Sequence, residues 1–579
     1  MNARDRYNLW TTQPRFDAAT REELLRIAED PAEIEDRFYR SLEFGTAGLR
    51  GVIGAGTNRM NVYTVAMAAA GFARDIASKG QAAMDAGVVI SFDSRRMSPE
   101  FARVVACVFA AHGVLARLSD TLRPVPVLSF AIRHYRATGG VMITASHNPA
   151  AYNGFKAYGS DGGQCPPETA DQIAARMDEI EDPTTIEMGS YNEHLTSGRL
   201  VVIGEELDDA YMEMLSHLAL HRDAVARHAD MKIVYTPLHG SGNVPVRRIL
   251  AESGFRQVLV VPEQELPDPE FPTVKAPNPE ERAALARAIS LAEREQADLV
   301  IATDPDADRM GLALRGADGE YTVLTGNQIG LLLMDYILSS KQAAGTLPGR
   351  SFCVTTIVST KLAKRVASHY GVTLMECLTG FKYIGELIKE HDENGNMHFQ
   401  FGFEESFGFL SGTDVRDKDA VVAAMLAAEM AAVARDRGMT LYDWLQDLFH
   451  RFGHAAEKTL SISLDSREGL DRIRKGMERL RSSKSDRTAG LHVLRVKDYL
   501  QSVETDFTDA GERPLDLPRS DVLLYELDDL DWFCVRPSGT EPKIKIYAGA
   551  YDADAAACAA RLSSMVDALR DHMEEMLRP

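Results

Sequence analysis

Residues 299–309 read LVIATDPDADR, a short apolar run followed by three aspartates at alternate positions. An apolar run of this length that ends at turn residues is typical of a buried strand. Asp304, Asp306 and Asp308 therefore follow the end of a strand, in a segment where proline opposes helix formation. Because alternate side chains of an extended segment point the same way, we expect the three carboxylates to converge.

Three converging carboxylates favour a metal site. Two like charges about 4 Å apart repel by roughly 4 kcal/mol near a protein surface, so the cluster needs a cation. Ligands that are all oxygen suit a hard ion, Mg²⁺ before the transition metals, and Mg²⁺ with few protein ligands keeps open positions for phosphate. An EF-hand is excluded because Arg309 and Arg315 stand where it needs glycine and glutamate. A solvated acidic turn and a phosphatase with an aspartyl nucleophile stay open as alternatives.

The composition indicates a globular protein of several domains. Its 579 residues, 45% hydrophobic and 26% charged, suffice for about three to five domains. The net charge of -21 argues against nucleic acid or an anionic membrane as a partner, since both require a basic face. No apolar run reaches the length of a membrane span, and the first residues lack the apolar segment of a signal peptide. We therefore expect a cytoplasmic protein without a membrane partner.

Strand and helix patterns alternate along most of the chain, which indicates α/β layers with mainly parallel sheets. Strands are predicted at 88–92, 141–144, 232–235, 299–302 and 352–358, and helices at 98–111 and 280–297. The C-terminal pattern consists of strands near 492–500, 521–528 and 532–548, followed by a helix over 553–577. That order predicts a smaller α+β domain. In α/β sheets ligands bind at the carboxyl ends of strands, where the candidate loops lie.

A serine follows the predicted strand 141–144, in the sequence TASHNP at residues 144–149. A hydroxyl at this position can point into a cleft, although serine, asparagine and proline also favour a simple turn. An acyl-transfer nucleophile elbow needs glycine on both sides of the serine, where Thr144 and Asn148 stand here. We therefore interpret Ser146 as a residue that accepts and returns phosphate beside the predicted metal.

Two further loops combine glycine with charged side chains. In RPSGTEPK, residues 536–543, arginine can clamp two phosphate oxygens and glycine lets the backbone approach an anion, and a hairpin turn with incidental charges is the alternative. In GFEESFG, residues 402–408, paired acids can accept hydrogen bonds from sugar hydroxyls, and a solvated acidic turn is the alternative. The chain contains no GxxxxGK[ST] nucleotide loop, which excludes a P-loop ATPase.

Taken together, the four loops resemble the α-D-phosphohexomutase superfamily and occur in the order typical of that family. The resemblance extends from Gly45 to Lys543. It implies four domains around a central cleft, three α/β domains with mixed sheets and a C-terminal α+β domain. The predicted boundaries are 1–205 for the domain with the phosphoserine loop, 206–328 for the metal loop, 329–452 for the sugar-recognition loop and 453–579 for the phosphate-binding loop.

The resemblance implies a role for each matching residue. The implied catalytic residues are Ser146, Lys156, Arg309, His147 and Arg50. The implied Mg²⁺ site consists of Asp304, Asp306, Asp308 and an oxygen on phosphorylated Ser146. The implied substrate-binding residues are Thr379, Gly380, Lys382, Glu404, Ser406, Lys418, Arg536, Ser538, Gly539, Thr540 and Lys543. A lysine must lose its proton to act as a base, so we expect crowding by cations to lower the pKa of Lys156.

Within the family, the loops are similar to the glucose branch. Residues 404–408, EESFG, resemble that branch, whereas mannose-type members usually have Glu-Met-Ser-Gly-His there. Residues 44–51, 58–61 and 379–382 resemble a longer subgroup of bacterial and animal enzymes. The implied reaction converts glucose 1-phosphate and glucose 6-phosphate into each other through a phosphoserine and glucose 1,6-bisphosphate, which would also be the activator. Action on pentose or mannose phosphates and glucose 1,6-bisphosphate synthesis stay open, as does a monomer or a homodimer.

Overall fold

The computed structural model describes residues 1–45, 48–316, 318–464, 469–509, 511–528, 530–538 and 542–578. The chain divides into two compact units. Unit 1 comprises Met1–Thr325, Ile384–Gly395 and Ser406–Gly438, and unit 2 comprises Gly326–Tyr383, Asn396–Glu405 and Met439–Pro579. Within the described ranges no helix is both long and apolar enough to cross a membrane. The four domain boundaries given above stay a prediction.

After three N-terminal helices, strands and helices alternate through much of the first 325 residues, as the sequence predicts. The helices there are α1 (Ala3–Thr12), α2 (Ala18–Leu25), α3 (Pro31–Phe38), α4 (Val62–Ser78), α5 (Gln81–Ala86), α6 (Ser98–Ala111), α7 (Val125–His134), α8 (Pro167–Asp178), a short 3-10 helix (Pro183–Thr185), α9 (Tyr191–Thr196), α10 (Glu205–Ser216), α11 (Arg222–Arg227), α12 (Asn243–Ser253), α13 (Pro262–Glu265) and α14 (Arg282–Glu295). The strands are β1 (Gly48–Val52), β2 (Val88–Phe92), β3 (Ala116–Ser119), β4 (Gly139–Ile143), β5 (Tyr152–Gly159), β6 (Leu200–Ile203), β7 (Lys232–Thr236), β8 (Gln257–Val260), β9 (Leu299–Thr303), β10 (Met310–Arg315) and β11 (Tyr321–Val323).

The rest of the chain changes from alternating elements to a run of strands. Its helices are α15 (Gly326–Ala343), α16 (Leu362–His369), α17 (Phe381–Asn394), α18 (Ala420–Asp436), α19 (Leu441–Phe452), α20 (Gly469–Ser482) and α21 (Ala555–Met576). Its strands are β12 (Ser351–Thr356), β13 (Thr373–Cys377), β14 (His398–Glu404), β15 (Gly408–Leu410), β16 (His454–Ser463), β17 (Arg487–Thr488), β18 (Leu491–His492), β19 (Arg495–Asp498), β20 (Val503–Asp506), β21 (Gly511–Pro514), β22 (Leu523–Glu526), β23 (Trp532–Pro537) and β24 (Lys543–Asp552).

Unit 1 contains two mixed sheets with the same plan. Their strand orders are β1-β5-β4-β2-β3-β6 and β11-β10-β9-β7-β8. In each sheet a parallel set of strands ends at an antiparallel pair, which the chain enters through a hairpin: β4 to β5 in one and β9 to β10 in the other. Each hairpin loop therefore lies at the carboxyl end of a parallel strand, where ligands of such sheets bind.

The parallel strands lie in the cores of these sheets. Every residue of β2 and of β9 is buried, as expected when helices cover both faces of a parallel sheet. Around β2 the core includes the rings of Phe72 from α4 and Phe109 from α6, packed edge to face at 5.6 Å. Burial on both sides fixes the strands, and with them the start of each hairpin loop.

Unit 2 combines parallel and antiparallel sheets. Strands β13, β12 and β14 are parallel neighbours, with α15 packed against β14. The C-terminal part forms an antiparallel sheet in the order β16-β24-β23-β22-β19-β20-β21, whose apolar face is covered by α20 and α21. This confirms the predicted α+β architecture. The sequence analysis missed β16 and α20. In both elements polar and charged residues separate the apolar ones, so neither contains a continuous apolar run.

Candidate active site

Asp304, Asp306 and Asp308 form a buried carboxylate cluster in the loop between β9 and β10. They are at most 2% exposed, and one oxygen of each lies within 4.8 Å of the others. The predicted convergence is therefore present, but the expected extended loop is wrong. The loop is a tight turn, in which Ala307 has a φ of 45° and its N–H donates to Asp304 O at 2.9 Å.

Asp304 holds this turn together from inside. Its Oδ1 accepts hydrogen bonds from the backbone N–H groups of Asp308, at 3.1 Å, and Arg309, at 3.0 Å. Its Oδ2 accepts a hydrogen bond from Ser146 Oγ at 2.8 Å. One carboxylate thus fixes the aspartate loop and joins it to the predicted phosphate carrier.

The serine loop between β4 and β5 approaches the aspartate loop closely. Ser146 is 3% exposed, has a φ of 52°, and its Oγ lies 3.2 Å from His147 Nδ1. Its N–H donates to Thr144 Oγ1 at 2.9 Å, and that oxygen lies 3.1 Å from Asp306 Oδ2. Two residues of TASHNP therefore contact two different carboxylates of the cluster.

The three aspartates have different electrostatic surroundings. Burial raises the pKa of Asp304 well above its ordinary value, and the neighbouring Asp306 and Asp308 carboxylates raise it further. Burial also raises the pKa of Asp308, but the charges of Lys418, Lys156 and Arg309 outweigh it and leave this pKa lowered. The cluster is therefore crowded with negative charge that nearby cations offset only in part.

Lys156 extends from β5 into this cluster. Its Nζ lies 2.9 Å from Asp306 Oδ2 and 3.5 Å from Asp308 Oδ2. Burial acts to lower the pKa of Lys156, but Asp306 and Asp308 raise it above its ordinary value. The expected lowering by neighbouring cations is therefore wrong, because the nearest groups are carboxylates. Lys156 brings a positive charge to the site.

Lys418, which the resemblance assigned to substrate binding, also contacts the aspartate loop. Its Nζ lies 3.2 Å from Asp308 Oδ2 and donates to Asp417 Oδ1 at 3.0 Å. Asp417 in turn accepts hydrogen bonds from Tyr158 Oη at 2.9 Å and Gln164 Nε2 at 3.0 Å. This network fixes a second lysine beside the candidate metal ligands.

The three other predicted catalytic residues surround the same loops. Arg309 Nη1 donates to Glu280 Oε1. Burial lowers the pKa of His147 to about 2, and the charges of Arg309 and Arg50 add to the effect, so the imidazole is neutral. Arg50 is exposed and its Nη1 donates to Asn148 Oδ1 at 3.1 Å.

The aspartate cluster fits a hard divalent cation. Asp306 Oδ1 and Asp308 Oδ1 are buried, and neither accepts a hydrogen bond from any residue that the structure describes. Unpaired buried carboxylate oxygens are costly unless a cation or donor completes them. The atoms available as metal ligands are all oxygen, which Mg²⁺ prefers.

Four of the predicted sugar-recognition residues lie in unit 2, at the end of β14 and around the start of α17. Glu404, at the end of β14, is 4% exposed and its Oε1 accepts a hydrogen bond from Gly380 N at 2.8 Å. Thr379 and Lys382 are half-buried on either side of Gly380, and Lys382 Nζ lies 5.0 Å from the ring of Tyr383. Sequence motifs 24 positions apart thus meet at one hydrogen bond.

The remaining predicted binding residues are divided between the two units. Arg536 is on β23 and Lys543 begins β24, and Ser538 N between them donates to Lys543 O at 2.7 Å, which closes a hairpin loop. Gly539 and Thr540 lie outside the described residues. Ser406 is half-buried and belongs to unit 1, in the turn after β14.

Sequence reasoning missed Asp93 and Arg95, which directly contact the serine loop. Asp93 Oδ2 accepts a hydrogen bond from Thr144 Oγ1 at 2.6 Å, and the Arg95 guanidinium donates to Ser146 O. Both residues follow β2, the strand beside β4. An acid and a base just past a largely apolar strand were the signal that could have revealed them.

Comparison with protein families gives a match over most of the chain. Residues 41–184, 209–317 and 325–452 match the phosphoglucomutase/phosphomannomutase alpha/beta/alpha domains I, II and III, and residues 497–562 match the C-terminal domain of the same family. Four domains in this order agree with the predicted fold class.

Curated relatives cover nearly the whole sequence. A phosphoglucomutase of Staphylococcus aureus (strain MRSA252) is 36% identical over 93% of this chain and 95% of its own length. A phosphoglucomutase of Staphylococcus epidermidis is 38% identical over 89% of this chain and 92% of its own. Among solved structures, the open form of the Paramecium protein parafusin, a phosphoglucomutase, has the same fold, with a TM-score of 0.67 at 16% identity over 93% of this chain and 95% of its own.

Proposed function

Because the chain belongs to the phosphoglucomutase/phosphomannomutase family, we propose that it is a phosphoglucomutase, a phosphohexomutase that interconverts glucose 1-phosphate and glucose 6-phosphate. Two staphylococcal relatives with that name are 36% and 38% identical over most of the chain. The observation that carries the proposal is the hydrogen bond from Ser146 Oγ to a buried carboxylate of the aspartate cluster, 2.8 Å long. A serine in this position can carry a phosphoryl group beside a bound cation.

Ser146 accepts and returns the phosphoryl group in this proposal. In the resting enzyme its Oγ carries phosphate. A hydroxyl of the sugar monophosphate attacks that phosphorus and the bond to Ser146 Oγ breaks. The hydroxyl proton ends on Ser146 Oγ, and glucose 1,6-bisphosphate forms. The bisphosphate turns end for end and its other phosphoryl group passes to Ser146 Oγ, which releases the isomeric monophosphate. Free glucose 1,6-bisphosphate therefore also activates the enzyme, because it phosphorylates an empty Ser146.

Asp304, Asp306 and Asp308 would hold Mg²⁺ together with an oxygen of the phosphoserine. When bound, the ion supplies positive charge that offsets the charge on the transferring phosphoryl group. Lys156 adds a second positive charge at the same place, since its Nζ lies 2.9 Å from Asp306 Oδ2. Further positive charge near the phosphate comes from Lys418, Arg309 and Arg50. Neutral His147 can donate or accept a hydrogen bond at Ser146 Oγ.

A second subsite must bind the phosphate that is not being transferred. We assign it to the β23–β24 hairpin loop, where Arg536 and Lys543 supply charge and Ser538 supplies a hydroxyl. Gly539 and Thr540 stay part of this assignment on sequence resemblance. The sugar hydroxyls are assigned to Glu404 and Ser406, with Thr379, Gly380 and Lys382 in the adjoining loop. The Glu404 carboxylate can accept hydrogen bonds from the sugar hydroxyls in either orientation of the ring, as a substrate that binds in two orientations requires.

The aspartyl-phosphatase alternative is disfavoured by the surroundings of Asp304. A nucleophilic carboxylate needs a free oxygen directed at phosphorus. Both oxygens of Asp304 already accept hydrogen bonds, Oδ1 from two backbone N–H groups and Oδ2 from Ser146. Such an enzyme would also release inorganic phosphate and form an aspartyl phosphate, which a chemical trap distinguishes from phosphoserine.

The test is a coupled assay with glucose 1-phosphate, mannose 1-phosphate and ribose 1-phosphate, each with and without glucose 1,6-bisphosphate and Mg²⁺. We expect the highest kcat/KM with glucose 1-phosphate. Mass spectrometry of the purified protein should locate phosphate on Ser146. Release of inorganic phosphate without isomerisation, or a clear preference for another sugar, would contradict the proposal.

A further inference from the structure

We propose that Arg95 is a positioning residue for the phosphate-carrying serine: its guanidinium holds the backbone of residues 146–152 so that Ser146 Oγ stays aimed at Asp304. The inference rests on the proposed function only in that it takes Ser146 as the phosphate carrier. Arg95 does not contact any of the oxygen atoms predicted to bind the metal, so it acts by positioning the backbone of the serine loop.

The guanidinium of Arg95 contacts four backbone carbonyl groups of the serine loop. Nη2 donates to the carbonyl oxygens of Ser146 and Asn148. Nη1 donates to those of Pro149, at 3.0 Å, and Tyr152, at 3.1 Å. Arginine can make such a set because its N–H donors are fixed in one plane. Lysine has three donors on a single atom and cannot reach four carbonyls spread along seven residues.

The clamp is itself held rigidly. Arg95 is 1% exposed, and its Nε lies 3.3 Å from Asp93 Oδ2. Asp93 Oδ1 is fixed by the backbone N–H of Arg95 at 2.9 Å and by Ser98 Oγ at 2.8 Å. The ring of Phe271 lies 5.0 Å from the guanidinium carbon on the other side. A side chain fixed on all sides transmits its position to the loop.

Ser146 requires such support because its backbone is strained. Its φ of 52° lies in the left-handed region, which is unfavourable for a non-glycine residue. Strained residues at functional sites persist only where surrounding contacts determine them. For Ser146 those contacts are the Arg95 bond to its carbonyl oxygen and the Thr144 Oγ1 bond to its N–H, 2.9 Å long. With the clamp removed, the backbone can relax and turn Oγ away from Asp304.

Loss of the clamp should reduce the rate of transfer rather than the binding of substrate. Misplacement of a reacting group by about 1 Å can lower a rate on the order of 100-fold. We therefore expect Arg95→Met to lower kcat about 100-fold and Arg95→Lys, which keeps the Asp93 ion pair, about tenfold. KM should change by less than about threefold, because Arg95 is 1% exposed and its guanidinium donates to backbone carbonyl groups below the surface.

The experiment compares Arg95→Lys and Arg95→Met with Arg96→Met in the full-length protein. Arg96 is the adjacent residue, but its side chain is 52% exposed and pairs with Glu270 at the surface, so kcat should stay normal. The extent of Ser146 phosphorylation by glucose 1,6-bisphosphate, kcat, KM and the melting temperature are measured. If the Arg95 variants have a lower melting temperature but an unchanged kcat per folded molecule, Arg95 has a purely structural role and the proposal is overturned.

Hydrogen exchange of the backbone amides at 144–148 separates this inference from the proposed function. Faster exchange in Arg95→Lys than in Arg96→Met supports the clamp even if the wild-type protein isomerises no sugar phosphate, a result that would refute only the proposed function. Equal exchange in the two variants overturns the clamp. Arg95→Lys is the variant expected to fold, because it leaves no unpaired charge on Asp93, and it decides the test if Arg95→Met aggregates.

Discussion

The serine loop and the aspartate loop occupy equivalent places in two similar sheets, yet they are stabilised differently. Each joins a parallel strand to an antiparallel neighbour, and each contains one non-glycine residue in the left-handed region, Ser146 at 52° and Ala307 at 45°. The aspartate loop closes on itself, through Asp304 and the N–H groups that follow it. The serine loop is held from another strand's end, by Arg95.

The difference matches what each loop is proposed to do. A metal loop has to hold fixed ligands, and here hydrogen bonds inside the turn fix the Asp304 carboxylate, while Val125, Ser241 and Ala420 donate to the loop backbone from outside. A loop that carries a phosphoryl group has to keep one oxygen aimed while its charge changes in every cycle. Because an outside guanidinium supports the backbone, Ser146 Oγ makes hydrogen bonds only to Asp304 and His147 among the described residues.

The largest expected effect comes from the centre of the serine loop. Ser146→Ala should abolish turnover with every sugar phosphate, because no other described hydroxyl has a place in the proposed relay. The free energy of unfolding should fall by about 1–3 kcal/mol, because alanine keeps the buried volume but leaves Asp304 Oδ2 without this donor. Ser197→Ala, an exposed serine of the same unit, is the control and should leave the coupled assay unchanged. Near-normal activity of Ser146→Ala would rule out the carrier role.

The next effect tests the aspartate loop by removing one ligand. Asp308→Asn should lower Mg²⁺ affinity by at least about 100-fold, because a neutral amide replaces a charged oxygen in a small set of ligands. An Mg²⁺ titration of the initial rate measures this, after chelation has removed all activity from the wild type. Asp209→Asn, at a surface ion pair with Arg248, is the matched control. Equal Mg²⁺ dependence of both variants would show that the cluster binds no ion.

These two loops also show how far the sequence could predict the site. The aspartate triplet and Ser146 were predictable because each motif is continuous in the chain. Arg95 was not, because its contacts to Ser146 and Tyr152 span more than fifty positions and depend on β2 and β4 being neighbours. The raised pKa of Lys156 was likewise hidden, since only the fold reveals that its nearest groups are carboxylates.

The fold was predictable to a similar extent. The predicted helix 98–111 and strand 88–92 coincide with α6 and β2, whose apolar periodicity is clear. The sequence pattern of apolar residues did not distinguish the antiparallel edge strands from loops. The β16 strand, HAAEKTLSIS, is mostly partly exposed, so it lacks the continuous apolar run by which the parallel strands were found.

A third prediction extends the comparison to the β23–β24 hairpin loop of unit 2. Arg536→Ala should raise KM by about tenfold and change kcat much less, because a bidentate contact to a phosphate that does not react contributes to ground state and transition state alike. Steady-state kinetics with glucose 1-phosphate measures both constants. Arg513→Ala, an exposed arginine in the same unit, should leave them unchanged. An unaltered KM in Arg536→Ala would argue against this phosphate subsite.

A fourth prediction concerns Ser241, one of the residues that support the aspartate loop from outside, as the N–H groups of Val125 and Ala420 also do. Ser241 donates to Pro305 O through both its N–H, at 2.8 Å, and its Oγ, at 2.7 Å. The adjacent Gly240 permits this approach, because a methyl group there would lie 2.4 Å from Pro305 Cα. Gly240→Ala should lower the free energy of unfolding by about 1–3 kcal/mol and weaken Mg²⁺ binding. Gly349→Ala, where a methyl meets no atom within 4 Å, is the control in denaturant titrations.

The smallest effect is expected at Asp419, in the segment that places Lys418 against the aspartate loop. Burial raises the pKa of Asp419 to about 6, while Val421 N, Val422 N and Tyr211 Oη donate to its carboxylate. The folded protein therefore takes up a proton near pH 6 that the unfolded chain takes up only near its ordinary pKa of 3.8. The contribution of Asp419 to the free energy of unfolding is fully present below pH 3.8, and it is lost as the pH rises from there to about 6.

Asp419→Asn should abolish this part of the pH dependence. The amide oxygen can still cap α18, so the variant should equal the wild type at low pH and exceed it by about 1–3 kcal/mol at pH 7. Urea unfolding between pH 4 and pH 7 measures the difference, with Asp554→Asn at the exposed cap of α21 as the control. If the variant is instead less stable at pH 7, the charged carboxylate is the form that the cap and Tyr211 stabilise.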